Sequence, residues 1–308
     1  MRINVFPALN GDCILVEYVA SHYILIDGGY VNTYNNYLLP KLVEIANNGG
    51  TVDVVVVTHI DEDHISGIIK LLEEDVFPIS IKEIWYNGYK HVQSVAIVSE
   101  EDEIFAHKNI CKETNVINPK SISAKQGCTL STLIARKGLL WNSPTKGNTM
   151  KGLISYSLGD ATIHILSPNN DDISNVELFW KKRLIKDGLL SKAHSNEYWD
   201  DAFEFCLSKE KPGFHFHKKK VSKSYDLIKI KEEAYVPDDS ATNGSSIAFV
   251  LEVEGKRILF LGDAHAETIV ESLITLYGEK NAPFRFDAVK LSHHGSFNNN
   301  SPPNCWKL

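Results

Sequence analysis

The run VDVVVV, Val52 to Val57, constrains the fold more than any other stretch of this chain. Five of its six residues are valine, so it reads as a buried strand. It runs straight into THIDEDHISG, Thr58 to Gly67, which sets two histidines and three acids between His59 and His64. An apolar strand that empties into such side chains has two readings. One is a metal site at the carboxyl end of the strand. The other is a polar turn, with Asp63 accepting from the free backbone N–H groups of the next helix. That helix is predicted by Ile65, Ile68, Ile69 and Leu72, which recur at i, i+3, i+4 and i+7.

Three further strands end alike. YILIDGG closes on Asp27, RILFLGDAH on Asp263 and His265, and AVKLSHHGS on His293 and His294. One such ending is unremarkable, but four in one chain, each after an apolar strand, favour the metal reading. Rigid strands fix ligands in place, while the loops beyond them leave room for substrate. His59 and Asp61 are two residues apart and point the same way in extended backbone. Asp63 and His64 fall at the turn into the helix, where a second cation could be held. Imidazole with carboxylate suits Zn²⁺, Mn²⁺ or Fe²⁺, and the oxygen-rich set favours Mn²⁺.

Around these endings the chain alternates strands and helices. INVFPAL and CILVEYV are strand-like and separated by the turn NGD. YLLPKLVEIANN is helical, with Leu38, Leu42 and Ile45 on one face, and IKEIWYNG is another strand. Residues from about 91 to 150 read as mostly helical. SYSLGDATIHILSP is a hairpin turning at Gly159-Asp160, and SSIAFVLEVEGKRILFLGDAH is a second one turning at Glu254-Gly255. Residues from about 170 to 240 break the pattern with Lys, Glu, Asp and aromatics, and read as an insertion or lid.

Composition narrows the class of function. Net charge is −7, from 32 basic and 39 acidic residues, so no general basic surface for nucleic acid is announced. Five scattered cysteines without a CxxC pair read as reduced thiols of a cytoplasmic protein. No window approaches the roughly 20 apolar residues of a membrane span, so no membrane partner is expected.

THIDEDHISG resembles the H-x-[HD]-x-D-H signature of the metallo-β-lactamase fold, and YILIDGG, LFLGD and SHH follow in that family's order. Within it the chain looks most like the soluble domain of the ComEC/Rec2 competence proteins. NGDCILVE, TNGSSIAFVLE with Asn243, and HHGS carry that likeness. The resemblance implies an α/β (α+β) chain folded as an αββα four-layer sandwich, two mixed sheets face to face with helices outside. It implies one domain over residues 1–308, with the insertion at about 170–240. It also implies two divalent metal ions, Zn²⁺ or Mn²⁺. His59 and Asp61 would serve one, Asp63 and His64 the other, and Asp263 would bridge them. One of His293 and His294 would complete the second site, with Asp27 and Asn243 supporting the ligands from behind. The implied activity is hydrolysis of a phosphodiester in DNA or a nucleotide-type substrate by activated water, with Asp63 orienting that water or taking its proton.

The chain departs from the family pattern in three places. Asp61 stands where many relatives have histidine, which is usual for this branch. The histidine between the two halves has no counterpart, and Asn243 lies in that segment. The sequence given ends 14 residues after His294, where the family continues with another strand and helix, so the expectation is either a fragment lacking the fold's C-terminal edge or an edge supplied otherwise. A different class of function stays open on these grounds: a sensor or partner module with an impaired metal site, in a larger bacterial assembly such as a phage-defence system. Hydrolysis of a thioester, lactone or lactam is a third reading. His265 reads as a helix-start residue, while His215, His217 and the run Lys218 to Lys220 read as a solvated surface.

Overall fold

A computed structural model describes residues 1–92, 130–186, 237–296, 298–300 and 306–307. Most of the expected insertion, including His215, His217 and the lysine run, lies outside the described residues, as does most of the segment read as helical from 91.

The first sheet has six strands in sequential order. They are β1 (Arg2–Val5), β2 (Ile14–Val19), β3 (His22–Ile26), β4 (Thr51–Val56), β5 (Ser80–Trp85) and β6 (Leu140–Trp141). β1 to β3 pair antiparallel, and β3 to β6 are parallel. The second sheet has β7 (Ile154–Leu158), β8 (Ala161–Ser167), β9 (Ala248–Val253), β10 (Lys256–Phe260) and, beyond them, β12 (Ala288–Lys290). Its order is β12-β10-β9-β8-β7, and β12 runs parallel to β10. Short β11 (Phe284–Arg285) pairs with β13 (Trp306–Lys307).

The valine run explains how the sheets stack. Val54 and Val56 face the second sheet, in a layer with Ile24, Trp85, Ile165, Phe249 and Phe260. Val52, Val55 and Val57 face the other way, into a layer with Leu42, Ile68, Leu71, Leu133 and Trp180. Those residues come from α1 (Leu39–Asn47), α2 (Glu62–Glu73), α3 (Leu130–Lys137) and α4 (Asn170–Lys186). A parallel strand covered on both faces has no position for an exposed side chain, which is why all but one residue of the run is valine and the exception, Asp53, is buried against Tyr18, His22 and Lys82. The outer face of the second sheet is covered by α6 (Ala266–Tyr277) through Ile269 and Leu273, after the single-turn α5 (Ala241–Gly244). The layers are therefore helix, sheet, sheet, helix. No helix among the described residues is long and apolar enough to cross a membrane.

Local boundaries differ from expectation at three points, each for a physical reason. β1 stops at Val5 because Pro7 has no N–H to give a ladder, although Phe6 N–H still donates to Cys13 O at 2.9 Å. The helix expected from Tyr37 begins with a turn at Val31–Thr33 and a wider helical stretch at Tyr34–Leu38, where Tyr34 is buried in the core. α2 begins at Glu62, three residues before the apolar periodicity starts, because its first turn carries polar side chains that periodicity does not count.

Candidate metal centre

The four ligand-bearing endings lie just past β3, β4, β10 and β12, at the carboxyl ends of parallel strands in both sheets. Backbone bonds tie them together: Ile247 N–H donates to Thr58 O at 2.9 Å, and His293 N–H to Gly262 O at 3.2 Å. Left-handed backbone gathers here, with φ of +54° at Asp27, +44° at His293 and +56° at His294. Non-glycine residues in that region cost about 1–3 kcal/mol each, and such outliers cluster at functional sites.

The turn reading of THIDEDHISG can be judged directly. Asp61 is the N-cap of α2, with φ −68° and ψ 141°, yet its side chain makes no capping hydrogen bond. Its carboxylate Oδ2 instead lies 3.5 Å from His59 Nε2 and accepts from Thr242 Oγ1 at 3.3 Å. Asp63, in the first turn, accepts from Asn10 Nδ2 at 2.9 Å. The Asp61 carboxylate is directed at side chains, whereas Asp63 bonds both Asn10 and its own backbone N–H.

Asp27 organises the centre from beneath and is fully buried. Its Oδ1 accepts from Thr58 N–H at 2.8 Å, and its Oδ2 accepts from Thr58 Oγ1 at 2.7 Å and faces His64 Nδ1 at 2.8 Å. A carboxylate can only accept, so His64 carries its proton on Nδ1 and a neutral ring offers the Nε2 lone pair. The same logic reaches His59 through Thr58. The Thr58 hydroxyl spends its proton on Asp27, so its oxygen accepts from His59 Nδ1–H at 3.0 Å. Ser246 Oγ, 3.3 Å from the same nitrogen, also accepts from Asp263 N–H at 3.2 Å. Both imidazoles thus turn Nε2 inward.

Those two nitrogens and Asp263 Oδ1 are buried without any hydrogen-bond partner. His59 Nε2 and His64 Nε2 lie 3.8 and 3.6 Å from Asp263 Oδ2, and the two rings are 4.2 Å apart between centroids. Buried polar atoms left unpaired cost about 1–3 kcal/mol each, so two such nitrogens meeting at one buried carboxylate call for an occupant. The donor set, two imidazoles and a carboxylate, is one that binds divalent cations. Ligand atoms of His59, His64 and Asp263 can all come within 4.8 Å of one another, as can those of Asp63, His64 and His294. Asp12, Asp27 and His64 form a third such group.

The charges respond to this crowding. Burial and the neighbouring His64 work against a charged His59, but Asp61 and Asp263 outweigh them and its pKa is raised. Burial likewise opposes a charged His64, yet Asp27, Asp263 and Asp63 push its pKa up to about 10. Burial disfavours the Asp263 carboxylate, but the two histidines and Lys290 bring its pKa down to about 2. Asp61 is lowered, against its burial, chiefly by His59. Asp63 alone among these acids moves up, because burial outweighs its histidine neighbours.

The remaining expected residues fall nearby with different partners. His294 joins Asp63 and His64, whereas His293 Nδ1 lies 3.0 Å from the accepting Asn299 Oδ1. Asn243 donates to Asp238 Oδ2 at 2.7 Å, and its amide is 3.4 Å from His293 Nδ1, so it supports His293 rather than the His59 group. His265 sits at the start of α6 with Nε2 3.0 Å from Ser240 O and Nδ1 3.6 Å from Asp172. Sequence reasoning missed Thr58, Ser246, Asp12, Lys290, Asp238 and Asn299. Thr58 alone carried a signal, since it precedes His59 at the end of the strand.

This geometry belongs to a class of mixed α/β proteins, and the layering is consistent with the metallo-β-lactamase fold. Residues 7–93 match the family model described as the metallo-beta-lactamase superfamily. That superfamily consists mostly of metal-dependent hydrolases. No curated protein matches the chain.

Proposed function

We propose that this protein is a metal-dependent phosphodiesterase acting on DNA or a nucleotide-type substrate. The observation that carries the metal dependence is the convergence of the unpartnered His59 Nε2 and His64 Nε2 on the buried Asp263 carboxylate. His59, His64 and Asp263 would hold a divalent cation, with Asp61, whose side chain is 35% exposed, closing the set towards solvent. When bound, such an ion polarises a phosphoryl oxygen and eases deprotonation of water.

The chain's own residues supply the rest. Asp27 and Thr58 fix both imidazoles in the ligating tautomer. Asp63, held by Asn10, is the proton acceptor for the attacking water. Its raised pKa makes it a stronger base than an ordinary carboxylate. The preference for a phosphodiester rests on Asp61 and on the resemblance to the competence-protein branch. A partner module with an impaired site has less support, because an impaired site has no need of two histidines held in one tautomer.

The test is a hydrolysis panel of single-stranded DNA, duplex DNA, RNA and a small phosphodiester, with and without Mn²⁺. Expected is Mn²⁺-dependent cleavage of at least one substrate. The His59→Ala, Asp63→Ala double variant should lose about a thousandfold or more, since ion and base are each worth several kcal/mol. A folded double variant that keeps Mn²⁺-dependent cleavage contradicts the assignment.

A further inference from the structure

His64 has only one nitrogen to give. Its Nδ1 is committed to Asp27, yet the residue belongs to both the His59–Asp263 group and the Asp63–His294 group. A single Nε2 lone pair serves one ion. Its partners in the first group are the better placed, since His59 and His64 present their Nε2 atoms to the same oxygen, Asp263 Oδ2. A second ion would therefore depend on Asp63, His294, Asp12 and the remaining oxygen of Asp263.

A cation already stands between two of these. Lys290, on the last residue of β12, forms an ion pair with Asp12 Oδ2 and lies 3.8 Å from Asp263 Oδ1. Its ammonium also donates to Gly262 O at 3.0 Å, so it is anchored from two sides. Only 16% of the side chain is exposed. Asp12 reaches the second group as well, with Oδ1 3.9 Å from His294 Nδ1. The ammonium thus lies where a second ion would bridge Asp12 and Asp263, and like charges a few ångströms apart in a buried setting repel strongly.

We propose that Lys290 is a built-in counter-cation that takes the electrostatic place of a second metal ion, so that the chain holds one divalent ion tightly rather than two. The inference rests on the reading of the His59–His64–Asp263 cluster as a metal site. It departs from the pair of ions that the sequence resemblance implies. Lys290 is a positioning residue here: it fixes Asp263 with Oδ2 towards the histidines and leaves Asp63 free of metal to act as a base.

The experiment is titration calorimetry of the chelator-treated full chain with Mn²⁺, with ion content measured after dialysis. Wild type and Lys290→Arg should each hold one equivalent per chain. Lys290→Met, which keeps the volume and removes the charge, should hold two. Lys290→Gln decides the matter if the methionine variant fails to fold. Two equivalents of similar affinity in the wild type overturn the proposal, as does a single equivalent in the folded neutral variant. No binding by the wild type overturns instead the metal reading beneath it.

Discussion

A Gly67→Ala variant is expected to melt about 4–8 °C below the wild type, or to fail to fold. In most helices this change stabilises, by about 1 kcal/mol, because glycine loses more backbone freedom than alanine. Here α2 lies directly on the Asp27-Gly28-Gly29 loop. Gly28 N–H donates to His64 O at 2.9 Å, and Gly67 N–H to Gly29 O at 2.8 Å. A Cβ on Gly67 would sit 2.0 Å from Gly28 O, and one on Gly28 would sit 2.4 Å from Ile68 N. Both obstacles are backbone, so no rotamer change relieves them. Overpacking of this kind costs on the order of 3 kcal/mol, which outweighs the gain in propensity. At about 2–4 °C per kcal/mol for a chain of this size, the melting temperature falls accordingly. Calorimetric melts check this. A melting point equal to or above the wild type would show that α2 and the loop are not in contact.

Asp27→Asn is the second large effect, and it acts on chemistry more than on packing. An amide keeps the shape, but its NH₂ must face either Thr58 N–H or His64 Nδ1. Facing His64, it forces Nδ1 to accept and moves the ring proton to Nε2, which then cannot bind a cation. Loss of such a supporting partner weakens metal binding about 10–100-fold. The variant should also change how stability varies with pH in chelator-treated protein. The folded His64 pKa is raised to about 10, above the unfolded value near 6.5. The stabilisation is therefore fully present below about pH 6.5 and is lost as pH rises through about 10. Wild-type melting temperature should fall across that window, and Asp27→Asn should be lower at pH 6 and flatter above it. Equal slopes for the two proteins would show that Asp27 does not set the His64 charge.

Much of this was legible in the sequence because it is local. The valine run, the Glu254-Gly255 turn and the four strand endings each depend on neighbours within a few residues. Periodicity failed where polar groups do structural work. α2 starts at Glu62 because ligand-type side chains occupy its first turn, and Tyr34 extends the first helix through burial that no spacing reveals. The deepest gap concerns partners far apart in the chain. Asp12 and Lys290 are ordinary surface types in sequence, and only the meeting of the β1–β2 turn with the end of β12 makes them a half-buried ion pair. Likewise, Asn243 could be placed near the site, but its attachment to Asp238 and His293 needed the fold.

Everything proposed for this site depends on His59, His64 and Asp263 holding a divalent cation. That binding is tested most directly by anomalous diffraction from crystals soaked in Zn²⁺. A peak is expected about 2.0–2.2 Å from His59 Nε2, His64 Nε2 and an Asp263 carboxylate oxygen. A fully soaked crystal with no peak there, or with ions only on surface carboxylates, would contradict it.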